Sequence, residues 1–447
     1  MARPKKVTEL NSEIQNQEEE IQNSDAITEE NIENKKQHFS AENELRENKN
    51  PSKTPIHLEF IKKSVLSETI NKINKKLGIE KATFGNDTRL QPYKIPTASI
   101  SLNKRMGGGF VRRKIHLSYG EKSSGKTFFD YKTVATLQRL CRNCLGILPI
   151  NDYVAQNLRM YYNIPECNCS SPEMHRCFRI DYESDYMVTS PKEKENLESK
   201  KLIHMEKLGV IGEAYSVAFA SSIEECVDIL KEVIPTMEYD FVTIDSLQGG
   251  QSDYIYEKEG HDETMGVEPR KLNIVLKNIM NSFHKIGIDN YRWAPVVHLI
   301  SQVRMKVGSK IPISTHSGGK GLEHQNSFTL RWSRESYLGE SNQELANTKE
   351  TIYGLRVGYK NEKFKLDSTG LDEIYFSGTV DLYIKDTNFG FKYGDYNYLR
   401  EIIDVGIESG KIVQRGSVFD VSGETFKGRQ GIQKAIQENP EILKVIL

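Results

Sequence analysis

The chain is 447 residues long and contains 61 Lys and Arg residues against 62 Asp and Glu residues. This length allows two or three domains with a substantial core, and the near-neutral balance excludes a uniformly basic nucleic-acid coat. No apolar run approaches the roughly 18 residues that a membrane span needs, and the N-terminus lacks the apolar stretch of a signal peptide, so we expect a cytoplasmic protein.

The first 54 residues are predicted to form a disordered acidic tail. They hold 8 Lys and Arg residues against 12 Asp and Glu residues, and only 12 residues of the apolar set. Such a segment cannot bury enough apolar surface to offset the entropy lost on ordering. Without the tail, the remaining 393 residues carry a formal charge of +3.

After the tail, helical and strand patterns alternate along the chain. Apolar residues recur at helical spacing over 56–77, which predicts an amphipathic helix within a segment, 55–88, used for subunit packing. The patterns that follow predict strands at 115–119, 178–181, 241–244 and 296–300, and helices at 126–142, 223–234 and 270–286.

This alternation predicts an α/β fold with a mostly parallel sheet covered by helices on both faces. We assign residues 89–390 to this core, including a Cys-rich insertion at 139–177 and a charged excursion at 186–208. Residues 391–447 read as a small α+β module of short helices with a hairpin. Ligands of such sheets bind at the carboxyl ends of the strands.

A glycine-rich turn between the first predicted strand and helix matches the phosphate-binding pattern G-x-x-x-x-G-K-[ST] in full. Its residues are Gly120, Glu121, Lys122, Ser123, Ser124, Gly125, Lys126 and Thr127. The glycines let backbone N–H groups face phosphate oxygens, and the helix N-terminus adds positive potential. Lys126 would reach the β- and γ-phosphates of ATP, while the Thr127 hydroxyl would coordinate Mg²⁺.

The second half of a nucleotide site is a carboxylate at the end of a buried strand. Asp245 ends the strand FVTID and is predicted to hold the magnesium ion with Thr127, whereas Asp240 starts that strand and would face its other end.

Five of the six cysteines lie between residues 141 and 177, which suggests a metal site rather than a disulfide scaffold. Two close pairs could clamp a tetrahedral Zn²⁺, namely Cys141, Cys144, Cys167 and Cys169. The alternatives are four unligated thiols, or His175 as a substitute ligand. Cys177 and Cys226 are expected to be buried thiols on apolar surfaces.

The motifs together resemble those of bacterial and phage RecA-type recombinases from about residue 70 to the C-terminus. GEKSSGKT is similar to the family's GPESSGKT, and IPTASISLNKRMGGGF resembles its entry segment. MGVEPRKLNIVLKNIM and ISQVRMKVG with HSGGKGL resemble its two DNA-binding loops, and REIIDVGIESGKIV its C-terminal module. The resemblance implies a RecA-like ATPase core and an ATP-driven homo-oligomeric filament on single-stranded DNA. It further implies strand exchange with homologous duplex DNA, with possible loader or mediator proteins.

The resemblance also assigns roles at the nucleotide. Glu183 matches the glutamate that polarises the attacking water, and Gln302 matches the glutamine that senses the γ-phosphate and couples it to the DNA loop. An amide suits that role because it can both donate and accept hydrogen bonds. Hydrolysis to ADP and phosphate needs a group that orients or deprotonates water.

Further residues would act from the neighbouring subunit of the filament. Lys360 matches the first of two lysines that reach the γ-phosphate across the interface, and Tyr393 matches a tyrosine near the adenine. The position of the second lysine holds Glu362, with Lys363 one residue further, so this chain departs from the two-lysine arrangement.

The candidate DNA-binding residues lie on the helix at 270–286 and in a loop at 304–320. They are Arg270, Lys277, Arg304, Lys306, Val307, Lys310, Gly318, Gly319 and Lys320. Arginine forks onto phosphate oxygens, and glycine-rich loops let N–H groups approach the DNA backbone. The alternative for each basic residue is an ordinary solvated surface position.

Two other functions share the phosphate turn and Asp245. One is a ring-forming helicase with the same core, and the other is an ATP-switched filament or mediator that binds single-stranded DNA without exchanging strands. Strand invasion of a homologous duplex, together with ATPase activity stimulated by DNA, distinguishes the recombinase from both.

Overall fold

A computed structural model describes residues 63–182, 204–247, 267–305, 314–316, 319–346, 350–364 and 376–446. The predicted acidic tail at 1–54 lies outside these residues. The chain falls into two units, Met1–Lys72 and Ile73–Leu447. Helix α1 (Lys63–Leu77) lies within the helix predicted at 56–77.

The strands of the described residues are numbered in chain order. They are β1 (Lys94–Ile95), β2 (Phe110–Val111), β3 (Ile115–Gly120), β4 (Cys177–Tyr182), β5 (Tyr215–Ala220), β6 (Phe241–Asp245), β7 (Val296–Met305), β8 (Ser314–His316), β9 (Phe328–Leu338), β10 (Gly354–Phe364), β11 (Ser377–Tyr383), β12 (Ile412–Arg415), β13 (Val418–Val421) and β14 (Glu424–Lys427).

The central sheet has the order β11-β10-β9-β3-β7-β6-β4-β5, and β8 pairs with β7 beside it. The six strands from β9 to β5 run parallel, and β10 and β11 are antiparallel to their neighbours. Strands such as β3 and β4 are buried along their whole length, as a sheet covered on both faces requires. The predicted α/β fold is therefore confirmed.

The remaining helices are α2 (Ile100–Arg105), α3 (Lys126–Gln138), α4 (Tyr153–Tyr162), α5 (Ile223–Thr236), α6 (Val267–His284), α7 (Gly319–Gln325), α8 (Tyr398–Glu408), α9 (Gly428–Glu438) and α10 (Glu441–Ile446). One apolar core joins Phe129 and Val134 of α3 to one face of the sheet. A second joins Leu230 of α5 and Ile279 of α6 to the other face. None of the helices described is long and apolar enough to cross a membrane.

Helix α3 ends earlier than predicted. The pattern favours a helix to Arg142, but α3 stops at Gln138 because the following backbone turns into bridges of the Cys-rich insertion. Leu140 pairs with Ile147, and the Cys141 N–H donates to the Gly146 carbonyl at 2.7 Å. The apolar residues of this segment continue a core rather than a helix.

The C-terminal segment contains more sheet than predicted. In place of a single hairpin, β12, β13 and β14 form a three-stranded antiparallel sheet beside α8, α9 and α10. Helix α8 is tied to α2 by the buried Glu401, which accepts hydrogen bonds from the Ile100 N–H at 2.6 Å and the Ser99 hydroxyl at 2.8 Å. Burial raises the pKa of Glu401 to about 8.

Candidate nucleotide site and cysteine centre

The phosphate-binding pattern forms a tight loop between β3 and α3, in the predicted strand–turn–helix context. A Cβ atom at Gly120 would lie 2.2 Å from the Trp332 carbonyl oxygen on β9, so only glycine fits at the end of β3. Gly125 precedes the first residue of α3 with φ of +85°, a left-handed conformation that favours glycine. Backbone geometry therefore favours glycine at both positions, independently of any ligand.

The Lys126 side chain folds back over the loop and is buried. Its Nζ donates to the carbonyls of Gly120 at 2.9 Å and Glu121 at 2.7 Å, and lies 3.3 Å from the Ser124 hydroxyl. Burial lowers the pKa of Lys126, which the Asp245 carboxylate opposes. Phosphate oxygens are stronger partners for an ammonium group than carbonyls are, so these contacts can be exchanged for an anion.

Thr127 and Asp245 meet at the carboxyl edge of the sheet. The Thr127 hydroxyl donates to Asp245 Oδ2 at 2.7 Å. Parallel pairing sets Asp245 beside Asp181 of β4 and Ile300 of β7, so the ends of neighbouring strands converge here. A hydroxyl and a carboxylate at this separation are the oxygen donors that Mg²⁺ prefers.

A cavity of about 220 Å³ opens at this edge. Its lining residues are Lys122, Ser123, Lys126, Thr127, Arg179, Asp181, Asp245, Ser246, Ile300 and Gln302. Residues from the loop, β4, β6 and β7 are thus brought together, as expected for a ligand site at the carboxyl ends of parallel strands. Gln302 lies in β7 in register with Gly120 of β3.

The sequence interpretation missed Arg179, which lines the cavity from the middle of β4. Its guanidinium donates to Asp181 Oδ1 at 2.6 Å and Asp245 Oδ2 at 2.6 Å, lies 3.3 Å from Asp130 Oδ2 of α3, and stacks 4.8 Å from the Tyr131 ring centre. Burial disfavours its charge, but Tyr131, Asp181 and Asp245 outweigh that effect and hold the pKa of Arg179 well above its usual value. An arginine inside an otherwise apolar strand was the available signal.

The four cysteines of the predicted zinc site form one cluster. Their Sγ atoms all lie within 4.8 Å of one another, with Cys141 and Cys169 at 3.8 Å and Cys144 and Cys167 at 3.6 Å. A tetrahedral zinc ion with bonds of about 2.3 Å to sulfur separates its ligands by about 3.8 Å. The four thiols are not joined by disulfides. The donor set and its spacing fit Zn²⁺.

Backbone contacts and a small core hold the cysteine pairs together. The Ile147 N–H donates to the Pro165 carbonyl at 2.9 Å, and the Ile147 carbonyl accepts from the Cys167 N–H at 2.9 Å. A Cβ atom at Gly146 would lie 2.9 Å from Cys167 Cα, so a glycine permits the close approach. Leu140, Ile147, Val154, Ala155 and Leu158 form the accompanying core.

The cysteine centre is anchored on Asp240, the residue that precedes β6. Arg142, one residue after the first cysteine, donates to Asp240 Oδ1 at 3.0 Å. His175 Nδ1 lies 3.0 Å from Asp240 Oδ2, so this histidine faces Asp240 and is not part of the cysteine cluster. Arg112 donates to the same carboxylate at 2.7 Å. The buried Asp240 thus joins both halves of the insertion to the amino edge of the sheet.

Comparison with known proteins gives a consistent relationship. RecA 1 of Myxococcus xanthus is 21% identical over 369 residues, covering 81% of this chain and 86% of the relative. RecA of Saccharopolyspora erythraea is 24% identical over 81% of this chain and 84% of the relative, and RecA of Chlorobium chlorochromatii is 25% identical over 79% of each. The chain is therefore similar to RecA proteins. No protein-family model matches it.

Several of the residues that the RecA resemblance assigns lie away from the cavity or outside the described residues. Glu183 directly follows β4 but is outside the described residues. Lys360 is exposed on β10 and is not among the cavity-lining residues described. Tyr393 is half-buried and its hydroxyl contacts His204 Nδ1, with Lys207 Nζ 5.3 Å from its ring centre.

The position that matches the second of the two lysines in the RecA resemblance holds Glu362 in this chain. Glu362 contacts the hydroxyl of Tyr119 on β3, and Arg331 lies 3.8 Å from it. Lys363 donates to Asn326 Oδ1 at 2.7 Å and so contacts its own chain. Glu362 therefore belongs to a local polar contact between β3 and β10.

The predicted second DNA-binding loop is a composite of elements. Its first residue, Arg304, belongs to β7, and its last residues, Gly319 and Lys320, begin α7. Between them, β8 pairs with β7, and Val303 lies opposite His316. The expectation of one continuous loop over 304–320 was therefore wrong. The candidates at Lys306, Val307, Lys310 and Gly318 lie outside the described residues.

The first DNA-binding candidates lie on α6. Lys277 is exposed, whereas the side chain of Arg270 lies outside the described side chains. The backbone places the two residues seven apart on one helix, as predicted. The pairing of β7 with β8 begins one residue after Gln302, so a single strand joins the cavity to the predicted second DNA-binding segment.

Proposed function

We propose that the chain is an ATP-dependent DNA recombinase that forms a homo-oligomeric filament on single-stranded DNA and promotes pairing and strand exchange with homologous duplex DNA. The observation that carries this proposal is the cavity in which Lys126, Thr127 and Asp245 meet Gln302 on the strand that leads into the second DNA-binding segment. Similarity to RecA proteins over about four fifths of the chain supports it.

The cavity residues suit ATP and Mg²⁺. Among the described residues, Lys126 Nζ has two carbonyls and a hydroxyl as partners, which an anion can replace, and the loop can turn its N–H groups to phosphate oxygens. Thr127 and Asp245 would hold Mg²⁺, which would neutralise charge on the β- and γ-phosphates when bound. Tyr393 of the neighbouring subunit would lie near the adenine.

The residues of the site divide the work of hydrolysis. Lys126 donates to the β- and γ-phosphates, and Lys360 of the neighbouring subunit adds a second cation. Glu183 takes a proton from the water that attacks the γ-phosphorus, and ADP leaves as phosphate forms. Gln302 senses the γ-phosphate, and β7 couples that nucleotide state to DNA binding.

DNA binding would then depend on nucleotide. Arg270 and Lys277 of α6 would contact backbone phosphates together with the second segment, whose candidates are Arg304, Lys306, Val307, Lys310, Gly318, Gly319 and Lys320. Contacts of this kind read the backbone rather than the bases, so binding should depend steeply on salt and little on sequence.

We further propose that the cysteine centre binds one Zn²⁺ through Cys141, Cys144, Cys167 and Cys169. The Sγ separations of 3.6 and 3.8 Å support a tetrahedral tetrathiolate site. Zinc binding would contribute folding free energy to an insertion whose own core is small.

The deciding experiment measures ATP hydrolysis with and without single-stranded DNA, together with strand exchange on homologous substrates. Stimulated hydrolysis with exchange is expected. Unwinding of a forked duplex without homology would instead favour a ring helicase. Binding of ATP and DNA without exchange would favour a switched filament or mediator.

A further inference from the structure

The cavity contains a cation that the proposed reaction does not use. Arg179 lies in the middle of β4, flanked by the buried Phe178 and Ile180, and its side chain is 3% exposed. A guanidinium in such a place is costly unless its donors are satisfied. Its partners among the described residues are three carboxylates and an aromatic face, and one of the carboxylates is the one proposed to hold magnesium.

Asp130, one of the carboxylate partners of Arg179, is itself held by two other side chains. Asp130 of α3 accepts from the Thr243 hydroxyl at 2.8 Å and lies 2.7 Å from His298 Nδ1. Asp181, two residues along β4, shares the same face of the sheet. The guanidinium is therefore held by carboxylates of α3, β4 and β6 at once, with support from β7, and it cannot turn away without breaking these contacts.

Two donors converge on a single oxygen of Asp245. Arg179 and the Thr127 hydroxyl both donate to Oδ2, at 2.6 and 2.7 Å, and Oδ1 has no hydrogen-bond partner among the described residues. When Thr127 turns to a cation, Arg179 still occupies Oδ2. The carboxylate then stays held through Oδ2, and Oδ1 is available to a ligand of the cavity that Asp245 lines.

We propose that Arg179 is a positioning residue for magnesium, which fixes Asp245 through Oδ2 so that Oδ1 faces the hydrated ion. The inference rests on the proposed nucleotide site and deepens it. Groups that orient a metal's own ligands affect metal affinity by roughly 10- to 100-fold, although they do not touch the metal.

Arg112 provides a matched control. It is also a buried arginine, and it also donates to an aspartate at an end of β6, at 2.7 Å to Asp240, which directly precedes that strand at the opposite edge of the sheet. Replacing either arginine with glutamine removes a buried guanidinium from its carboxylate partners, which are Asp130, Asp181 and Asp245 for Arg179 and Asp240 for Arg112. Only Arg179→Gln acts on the proposed magnesium carboxylate.

The test measures binding of a fluorescent, non-hydrolysable ATP analogue to the full chain while Mg²⁺ is titrated. For Arg179→Gln, the Mg²⁺ concentration at half-maximal binding should rise about 10- to 100-fold. For Arg112→Gln it should match that of the unaltered chain, while thermal melting shows that both variants lose stability. An unshifted titration in Arg179→Gln, or equal shifts in both variants, would overturn the inference.

A second variant covers the case in which Arg179→Gln does not fold. Arg179→Lys keeps the charge, but one ammonium group cannot reach Asp130, Asp181 and Asp245 together. Its titration should shift in the same direction by a smaller factor, and no shift would again overturn the inference. If the unaltered chain binds no nucleotide at any Mg²⁺ concentration, the proposed function fails instead.

Discussion

In the part of the chain that the structure describes, Lys126 is held by carbonyls of its own loop and not by a carboxylate. The side chain is therefore ready to exchange partners, and its removal leaves only weak backbone contacts unmade. We expect Lys126→Ala to fold and to lose nucleotide-dependent activity by roughly 10²- to 10³-fold, as for the loss of one strong donor to a developing charge. ATP binding and hydrolysis measure this effect.

The control for that variant is Lys231→Ala, which removes a partly exposed lysine that pairs with Asp228 on α5. It should leave ATP binding and hydrolysis unchanged. Full hydrolysis in Lys126→Ala would contradict the assignment of the phosphate-binding turn.

At the residue scale, the sequence predicted what is local. The turn from Gly120 to Thr127 is contiguous, so its pattern carries its geometry, and Asp245 follows from its place at a strand end. The position of Arg179 in a mostly apolar strand was a signal, but its role at the site could not be predicted because Asp130 of α3 and Asp245 of β6 are far from it in the chain. The contact of Lys363 with Asn326 is likewise visible only after β9 and β10 pair.

Among the elements, α8 and α2 are joined by a carboxyl group that favours its neutral form. Because the pKa of Glu401 is raised from its ordinary 4.5 to about 8, the folded state holds a proton that the unfolded state releases. Stability should therefore be fully present at low pH and fall as pH rises towards 8. Between pH 6 and 9 the loss is expected to be about 2 to 3 kcal/mol, at about 1.4 kcal/mol per pKa unit.

Glu401→Gln tests this expectation, since the amide mimics the neutral acid towards Ser99 and Ile100. Urea unfolding at pH 6 and 9 should show a flatter dependence for the variant than for the unaltered chain. Parallel pH profiles for the two proteins would show that Glu401 does not titrate in this range.

The proposed zinc site of the Cys-rich insertion can be tested separately from the nucleotide site. Metal analysis of the purified chain should find about one zinc per chain. Cys144→Ser should lose it and unfold at a lower temperature, because metal binding contributes folding free energy. Cys226→Ala, a buried thiol of α5 outside the cluster, should retain zinc. Zinc-free protein with four freely reactive thiols would contradict the site.

The element boundaries show where sequence patterns are insufficient. Four of the six parallel strands, β3, β4, β6 and β7, were predicted because each is mostly apolar, although β7 runs five residues beyond its predicted end at 300. Strands β5 and β9 were not predicted. The pattern predicted α3 to run to Arg142, because Leu140 and Cys141 are apolar in either a helix or the insertion core. The return of β8 onto β7 depends on pairing between residues that carry no periodic signal.

At the scale of the whole molecule, the affinity for DNA should depend on the positive charge of α6. We expect Lys277→Ala to weaken binding to single strands of any sequence and to reduce the salt dependence of log affinity by about 0.7, the contribution of one phosphate contact. Filter binding over a range of salt concentrations measures the slope. Lys285→Ala is the control, since it removes an exposed lysine just beyond the carboxyl end of the same helix. An unchanged slope in Lys277→Ala would exclude a phosphate contact there.

The position of the cysteine centre also has a kinetic consequence. It is anchored on Asp240 at the amino edge of the sheet, whereas Asp245 lies at the carboxyl edge, and the five residues of β6 between these edges span about 16 Å. A thiol reagent that reacts with the cysteine centre and releases the proposed zinc would therefore not occupy the proposed nucleotide cavity. We expect its inhibition to develop with time of exposure and to persist at saturating ATP, as an inactivation rather than a competition.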